Sequence, residues 1–336
     1  MPIVELDNDA VETLFASIVQ DGSLREVTPA LGGLVNAVYR VVTSSGATYA
    51  LRLYPDAGDS RSADERFGHE VAALRWLAAA ADVVRIPRIL TADASRTRLR
   101  TPYVVYPWID GITLNDCRRQ YGHAALTSLA NPLGRALARI SAIADRNTTA
   151  LTPPDRSLCI AAALIDADAA LASSPARERL GSPVADALRA TFAMDNAALL
   201  ALDEHRELVH GDFGGRNILV RRTHDVTWDV SGVLDWEAAA VASPLWDVGS
   251  LFRYDTRYSA HFRASFARGY RAAGGRLPDE WWRQSRLIDA TRVVRILNGE
   301  RELPSVFDEC RAILASVVAD FPPDRPHFVR NRARGR

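Results

Sequence analysis

The sequence contains no lysine: all 41 basic residues are arginine. That absence excludes chemistry built on a lysine amine, including a Schiff base, a Walker A phosphate loop and a Ser-x-x-Lys nucleophile. A GC-rich genome would account for it without reference to function, and the chemical exclusions hold either way. Cysteine is scarce as well. Cys117, Cys159 and Cys310 lie far apart with no Cys-x-x-Cys pair, which excludes a zinc ribbon or disulfide framework and fits a reducing, cytoplasmic location. No apolar run approaches the roughly 18–20 residues that span a bilayer. Residues Met1 to Asp7 carry neither a basic nor an apolar leader segment, so no secretory signal is expected. Net charge is also missing. The 41 arginines face 41 acids, which argues against a general nucleic-acid or membrane-surface binder.

What remains is a globular composition: 336 residues, 48% hydrophobic and 24% charged, enough for about two domains or one bilobed unit. Periodicity orders the chain. Val11, Leu14, Phe15 and Ile18 predict a helix over Asn8 to Gln20. Val38 to Val42 and Ala47 to Tyr54 read as strands joined by the turn-type residues Thr43 to Gly46. Ser62 to Ala81 reads as a long helix, and Tyr103 to Trp108 as a short strand. Helix formers dominate Leu114 to His205, interrupted by Pro153-Pro154 and Pro183. Short strands return over Leu208 to Glu237, and His261 to Ala319 is helical again. The fold class expected is therefore α+β and bilobed: a small β-rich lobe (residues 1–107), then a larger, mostly helical lobe (108–324). Between them lies a connector near Pro107 to Gly111, with a cleft where ligands commonly bind. Residues 325–336 hold five arginines and read as a disordered, solvated tail, with an anion-binding arm as the alternative.

The densest chemistry lies in Leu208-Val-His-Gly-Asp-Phe-Gly-Gly-Arg-Asn-Ile-Leu-Val220. An apolar strand leads into His210-Gly-Asp212. Asn217 follows after four residues, then another strand, and Asp235 after the next, in Val233-Leu-Asp-Trp-Glu237. Two acids and an amide at strand ends converge on one rim, and hard oxygen ligands in that number suit Mg²⁺.

This spacing resembles the catalytic core shared by protein kinases and the aminoglycoside phosphotransferase family. Gly between His and Asp, and Asp-Trp-Glu after the later strand, resemble the small-molecule branch. The resemblance covers about residues 25 to 255. It implies a protein-kinase-like fold and an ATP- and Mg²⁺-dependent kinase that phosphorylates a hydroxyl of a small molecule. Asp212 matches the catalytic Asp that takes the hydroxyl proton, and Asn217 and Asp235 match the metal ligands. His210 matches a residue packed under the catalytic loop, and Asp247 one that pins this loop through backbone N–H groups; an ordinary acid in a helical first turn is the alternative for Asp247. Glu237 faces the acceptor or a metal-bound water, or is simply solvated. Arg216 reaches a phosphate or forms a surface ion pair.

On the nucleotide side, Leu31 to Arg40 is similar to the family's phosphate-covering turn and implies contacts from Gly32, Gly33, Asn36 and Val38, although a glycine pair also suits any hairpin. In Tyr49-Ala-Leu-Arg-Leu-Tyr54, alternation puts Ala50 and Arg52 on one face. The resemblance makes Ala50 the roof of the adenine and Arg52 the phosphate-binding cation, with arginine where the kinase pattern has lysine. An arginine fork keeps the charge. Glu70, ahead of Glu65, matches the acid that holds this cation. Pro107 and Ile109 match the hinge, where Ile109 offers the N–H.

The acceptor is not named by the sequence. Ile112 to His205 holds 9 Arg and 10 acids, and Ala238 to Asp324 holds 12 Arg and 11 acids; neither is acidic, as a pocket for a polycationic antibiotic would be. Trp281-Trp282 offers flat surface for a ring, or helix packing. Two other readings stay open: a kinase fold that binds nucleotide or ligand without catalysis, and a protein kinase. Against the latter, no Ala-Pro-Glu segment follows Asp235.

Overall fold

The structure, a computed structural model, describes residues 6–19, 23–30, 36–56, 62–78, 85–143, 158–223, 227–300 and 303–323. Gly32, Gly33, Pro153-Pro154 and the arginine-rich tail lie outside the described residues. The first lobe comprises α1 (Asn8–Ile18), β1 (Leu24–Pro29), β2 (Ala37–Thr43), β3 (Thr48–Leu53), α2 (Ala63–Leu77), β4 (Thr91–Asp93) and β5 (Tyr103–Pro107). Its strands form one antiparallel sheet in the order β1-β2-β3-β5-β4. Side-chain alternation decides what each face buries. Leu51, Leu53, Tyr39, Val41 and Val105 pack with Val11, Leu14 and Phe15 of α1. On the other face Ala50, Val104 and Tyr106 pack with Tyr54 and with Ala63 and Val71 of α2. Arg52 shares the face of Ala50, so it points toward α2 and the cleft. The N-terminus of α2 is fixed by a capping box between Ser62 and Glu65.

The second lobe begins with β6 (Ile112–Thr113), α3 (Leu114–Ser128) and α4 (Ala130–Ser141). It continues through α5 (Ile160–Ser173), α6 (Pro175–Leu180) and α7 (Ser182–Leu200). A strand island follows: β7 (Glu207–Val209), β8 (Ile218–Arg222), β9 (Trp228–Val233) and β10 (Ala240–Ala242). The chain ends in α8 (Leu245–Phe252), α9 (Ala260–Ala272), α10 (Trp281–Leu297) and α11 (Pro304–Asp320). β6-β8-β9 and β7-β10 make two small antiparallel sheets set into one large apolar core. Among the described residues no helix is long and apolar enough to cross a membrane.

The fold class is the one expected, α+β with a small sheet lobe and a helical lobe. One local expectation is corrected, one strand is added and one open choice is decided. Pro183 does not break a helix; it opens α7 from its first turn, where a missing N–H costs nothing. β1 was not anticipated because its residues alternate poorly: they are half-buried or exposed on both faces of an edge strand. Of the two readings for Trp281-Trp282, helix packing is the one the structure shows. Trp281 is buried, and both rings pack edge or tilted against Phe252.

Candidate active site

The His-Gly-Asp loop links β7 to β8. Gly211 adopts φ of 81°, and a side chain there would run into the Ala238 carbonyl, so the turn requires glycine. Buried Asp247, in the first turn of α8, accepts the N–H of His210 at 2.6 Å and of Gly211 at 2.9 Å. Burial pushes its carboxyl above the usual range, although His210 and these two N–H groups oppose the shift. His210 is itself buried against Trp236 and Phe213. Its Nδ1 accepts the Asp212 N–H, which leaves Nε2 to donate to the Leu234 carbonyl at 2.8 Å. Both ring nitrogens therefore serve the loop.

Asp212 is half-buried. Asn217 Nδ2 donates to its Oδ2 at 3.0 Å and to its carbonyl at 2.9 Å; the Ser250 hydroxyl lies 3.4 Å from Oδ1. Burial raises its carboxyl, but Arg292 and Arg253, then His210 and Arg216, outweigh it and hold Asp212 below the usual carboxylate range. Arg253 is bound in turn by Asp289, with Nη2 to Oδ1 at 2.8 Å. Arg216 is exposed and has no ion pair among the described residues.

Asn217 and Asp235 end adjacent strands, and Leu234 donates its N–H to the Asn217 carbonyl. Asp235 sits at φ 68°, a left-handed conformation that aspartate tolerates better than most residues. Its Oδ1 is 2.5 Å from Arg52 Nη2, and the same nitrogen is 3.4 Å from Glu237 Oε2. Arg52 Nε lies 2.9 Å from Glu70 Oε2 without aiming its N–H at it, so this is a charge contact rather than an aligned hydrogen bond. Tyr54 donates its hydroxyl to Glu70 at 2.5 Å. Glu65 closes the α2 cap, its Oε2 accepting the Ser62 N–H at 2.7 Å. Burial drives the Glu70 carboxyl up, Arg52 opposes, and Asp235 and Glu237 add to the rise, which reaches about 7.

Asn36 is buried and donates to Glu237 Oε2 at 2.8 Å. Glu237 thus faces Arg52 and Asn36. Val38 and Ala50 line the same side of the sheet, with Val38 paired directly to Arg52. Pro107 ends β5 with its ring exposed. The Trp108 N–H is bonded to the Thr48 carbonyl, and the Ile109 side chain packs against Gly232.

One oxygen each from Glu70, Asp235 and Glu237 lies within 4.8 Å of the others. Glu70 Oε1 is buried without a hydrogen-bond partner. Three carboxylates with only Arg52 among them, one of their oxygens unsatisfied, offer the hard donors a divalent cation takes, so the donor set fits Mg²⁺. Glu70 and Glu237 come from a distant helix and the turn after β9, which sequence spacing could not join. Glu70 and Glu237 were named from the sequence, but Arg253, Asp289 and Arg292 were missed. They carry no motif, and only the crossing of α8 over α10 gathers them.

The family model described as Phosphotransferase enzyme family matches residues 26–322. No curated protein sequence matched the chain. Among solved structures, an aminoglycoside phosphotransferase in complex with GDP and kanamycin superposes with a TM-score of 0.67 at 19% identity, covering 92% of this chain and 98% of that one. A macrolide 2'-phosphotransferase from Brachybacterium faecium gives 0.59 at 18% identity, covering 95% and 99%. A choline/ethanolamine kinase family protein from Mesorhizobium loti gives 0.62 at 20% identity, covering 96% of each chain. These likenesses establish a shared fold, and the match across residues 26–322 places the chain in the phosphotransferase enzyme family.

Proposed function

We propose that the protein transfers the γ-phosphoryl group of a nucleoside triphosphate, ATP on the sequence reading, to a hydroxyl of a small molecule such as an antibiotic, an amino alcohol or a sugar-like metabolite. The observation that carries this reading is the Asp212 carboxylate. It is held ionised by nearby arginines, oriented by Asn217 and set on a loop pinned by Asp247. An ionised carboxylate fixed in this way is equipped to orient an acceptor hydroxyl and receive its proton.

As the hydroxyl oxygen bonds to the γ-phosphorus, the bond to the β-phosphate oxygen breaks and the proton passes to Asp212. The products are a phosphate monoester and the nucleoside diphosphate. Residues 1–107 and the hinge that follows bind the nucleotide: Pro107 and Ile109 face the base, with Ala50 and Val38 beside it. Gly32, Gly33 and Asn36 belong to the phosphate turn. Arg52 grips phosphate oxygens while Glu70 positions it. Asn217 and Asp235 would hold Mg²⁺, with Glu237 beside them. Bound there, the ion neutralises charge on the phosphate oxygens. His210 supports the loop without exchanging protons. The solved relative with GDP bound supports nucleotide use.

The test is ADP or GDP release against a panel of hydroxyl acceptors, with ATP and GTP each supplied, for wild type and Asp212→Asn. Acceptor-dependent turnover that the variant lacks is the expected result. Calorimetry of Mg²⁺-nucleotide binding to Asp235→Ala provides a readout independent of turnover; undiminished affinity would remove Asp235 from the metal site.

A further inference from the structure

On the C-lobe side of Asp212, α5 and α10 enclose a cavity of about 440 Å³. Alanines of α5 (Ala163, Ala167 and Ala170) form its apolar wall, and Trp246 and Arg292 lie opposite. Trp246 and Ser250 are one turn apart on α8, and Ser250 reaches Asp212. Arg292 lines the cavity and is also the first of the cations that bear on Asp212, so one side chain joins the cavity to the carboxylate.

The charges of this cavity are unusual. Arg292 stands over the Trp246 ring, 5.4 Å from its centroid. Among the described residues no carboxylate lies within ion-pair distance of it. Asp289, one turn earlier on α10, is the nearest candidate in sequence, but both of its oxygens are bound by Arg253. Partial burial and the neighbouring Arg253 both weigh against the charge on Arg292. Arg295 adds a second cation to the lining, and Asp166, exposed on α5, is its one carboxylate. A guanidinium stacked on a tryptophan, with Asp212 and Asp289 acting on it only from beyond ion-pair distance, keeps its N–H donors available to an external anion.

Resting on the phosphotransferase reading, we propose that this cavity seats the acceptor and that the acceptor is a hydroxylated molecule carrying an anionic group, a carboxylate or a phosphate, which Arg292 grips while a hydroxyl faces Asp212. A polycationic aminoglycoside would instead set ammonium groups against Arg292 and Arg295, with only Asp166 to receive them.

The test uses the full chain and acceptors matched in skeleton: glycerol, D-glycerate and glycerol 3-phosphate; glucose, D-gluconate and glucose 6-phosphate; with choline and kanamycin as cations. Release of nucleoside diphosphate is measured for wild type, Arg292→Gln and Arg292→Lys, with folding checked by circular dichroism. The inference expects an anionic member to be phosphorylated with a KM at least 10-fold below that of its neutral match. Arg292→Gln should raise that KM roughly 10–150-fold, the value of a charge-assisted contact, and Arg292→Lys should restore part of it. The carboxylate and phosphate arms identify the group. Preference for choline or kanamycin, no turnover of any anionic member, or an unchanged KM for the anionic member in Arg292→Gln, whatever kcat does through Asp212, each overturns the inference and leaves the phosphotransferase reading standing. If wild type binds neither Mg·ATP nor Mg·GTP by calorimetry, the phosphotransferase reading falls and the acceptor assignment falls with it.

Discussion

Two ionic assemblies flank the cleft, and their charge balances are opposite. On the nucleotide side one arginine, Arg52, is shared among three carboxylates, Glu70, Asp235 and Glu237. On the proposed acceptor side Arg253 and Arg292, with exposed Arg216, bear on Asp212, and among the described residues Asp289 is the one further carboxylate in ion-pair contact with them. The first assembly is short of positive charge and the second of negative charge. A site that binds a polyanion through a divalent cation needs surplus carboxylate where the cation sits. A site that must keep a carboxylate ionised in a half-buried pocket needs surplus guanidinium around it. The same two residue types, in inverse ratio, thus serve opposite ends of one proposed transfer.

Removing the charge of Asp212 breaks the comparison most severely. Asp212→Asn is expected to lower kcat by roughly 10²–10⁴ with nucleotide affinity almost unchanged. Steady-state kinetics decide it, and wild-type turnover in this variant would falsify the assignment of Asp212.

Removing Arg52 breaks the other half. Arg52→Ala is expected to weaken nucleotide binding roughly 10–150-fold. It also leaves buried Glu70 without its cation, and losing one partner of a buried pair costs about 3–5 kcal/mol. A divalent ion can then replace the missing charge. Mg²⁺ should therefore raise the melting temperature of Arg52→Ala more than that of wild type. Equal increments for the two proteins would show that Asp235 and Glu237, once freed of Arg52, do not hold the ion.

Asp247 tests the scaffold rather than either charge cluster. Asp247→Ala orphans the N–H groups of His210 and Gly211 and is expected to cost roughly 1–3 kcal/mol, a melting shift of several degrees for a chain of this size. Asp247→Asn, which keeps an acceptor oxygen, should lose less.

The mildest perturbation is pH. The carboxyl of Glu70 titrates at about 7 in the folded protein, against an ordinary value of 4.5. The folded state therefore binds the extra proton between these values. The contribution is complete below pH 4.5 and is lost as pH rises toward 7. In that window the stability of wild type should fall relative to that of Glu70→Gln, with metal absent. Parallel pH profiles would place the proton elsewhere.

The sequence by itself determined what short-range geometry controls. Alternation along Tyr49 to Tyr54 placed Ala50 and Arg52 on one face, because side-chain direction in a strand has a period of two. The spacing from His210 to Asn217 marked a tight loop between apolar strands. Ser62 with Glu65 is a helix start written in four residues. Tertiary structure decided the rest. Arg52 meets Asp235 and Glu237 across 183 and 185 positions, and no local pattern encodes which carboxylates close on a cation over that separation. Arg253 finds Asp289 because α8 and α10 touch at Gly249, where a side chain would strike the Ser285 carbonyl. The edge strand β1 was missed because its pattern of burial is set by neighbours rather than by its own alternation. Local chemistry fixes the direction of a side chain. Its partner, and hence its charge state and chemical role, is set by which elements the folded core presses together.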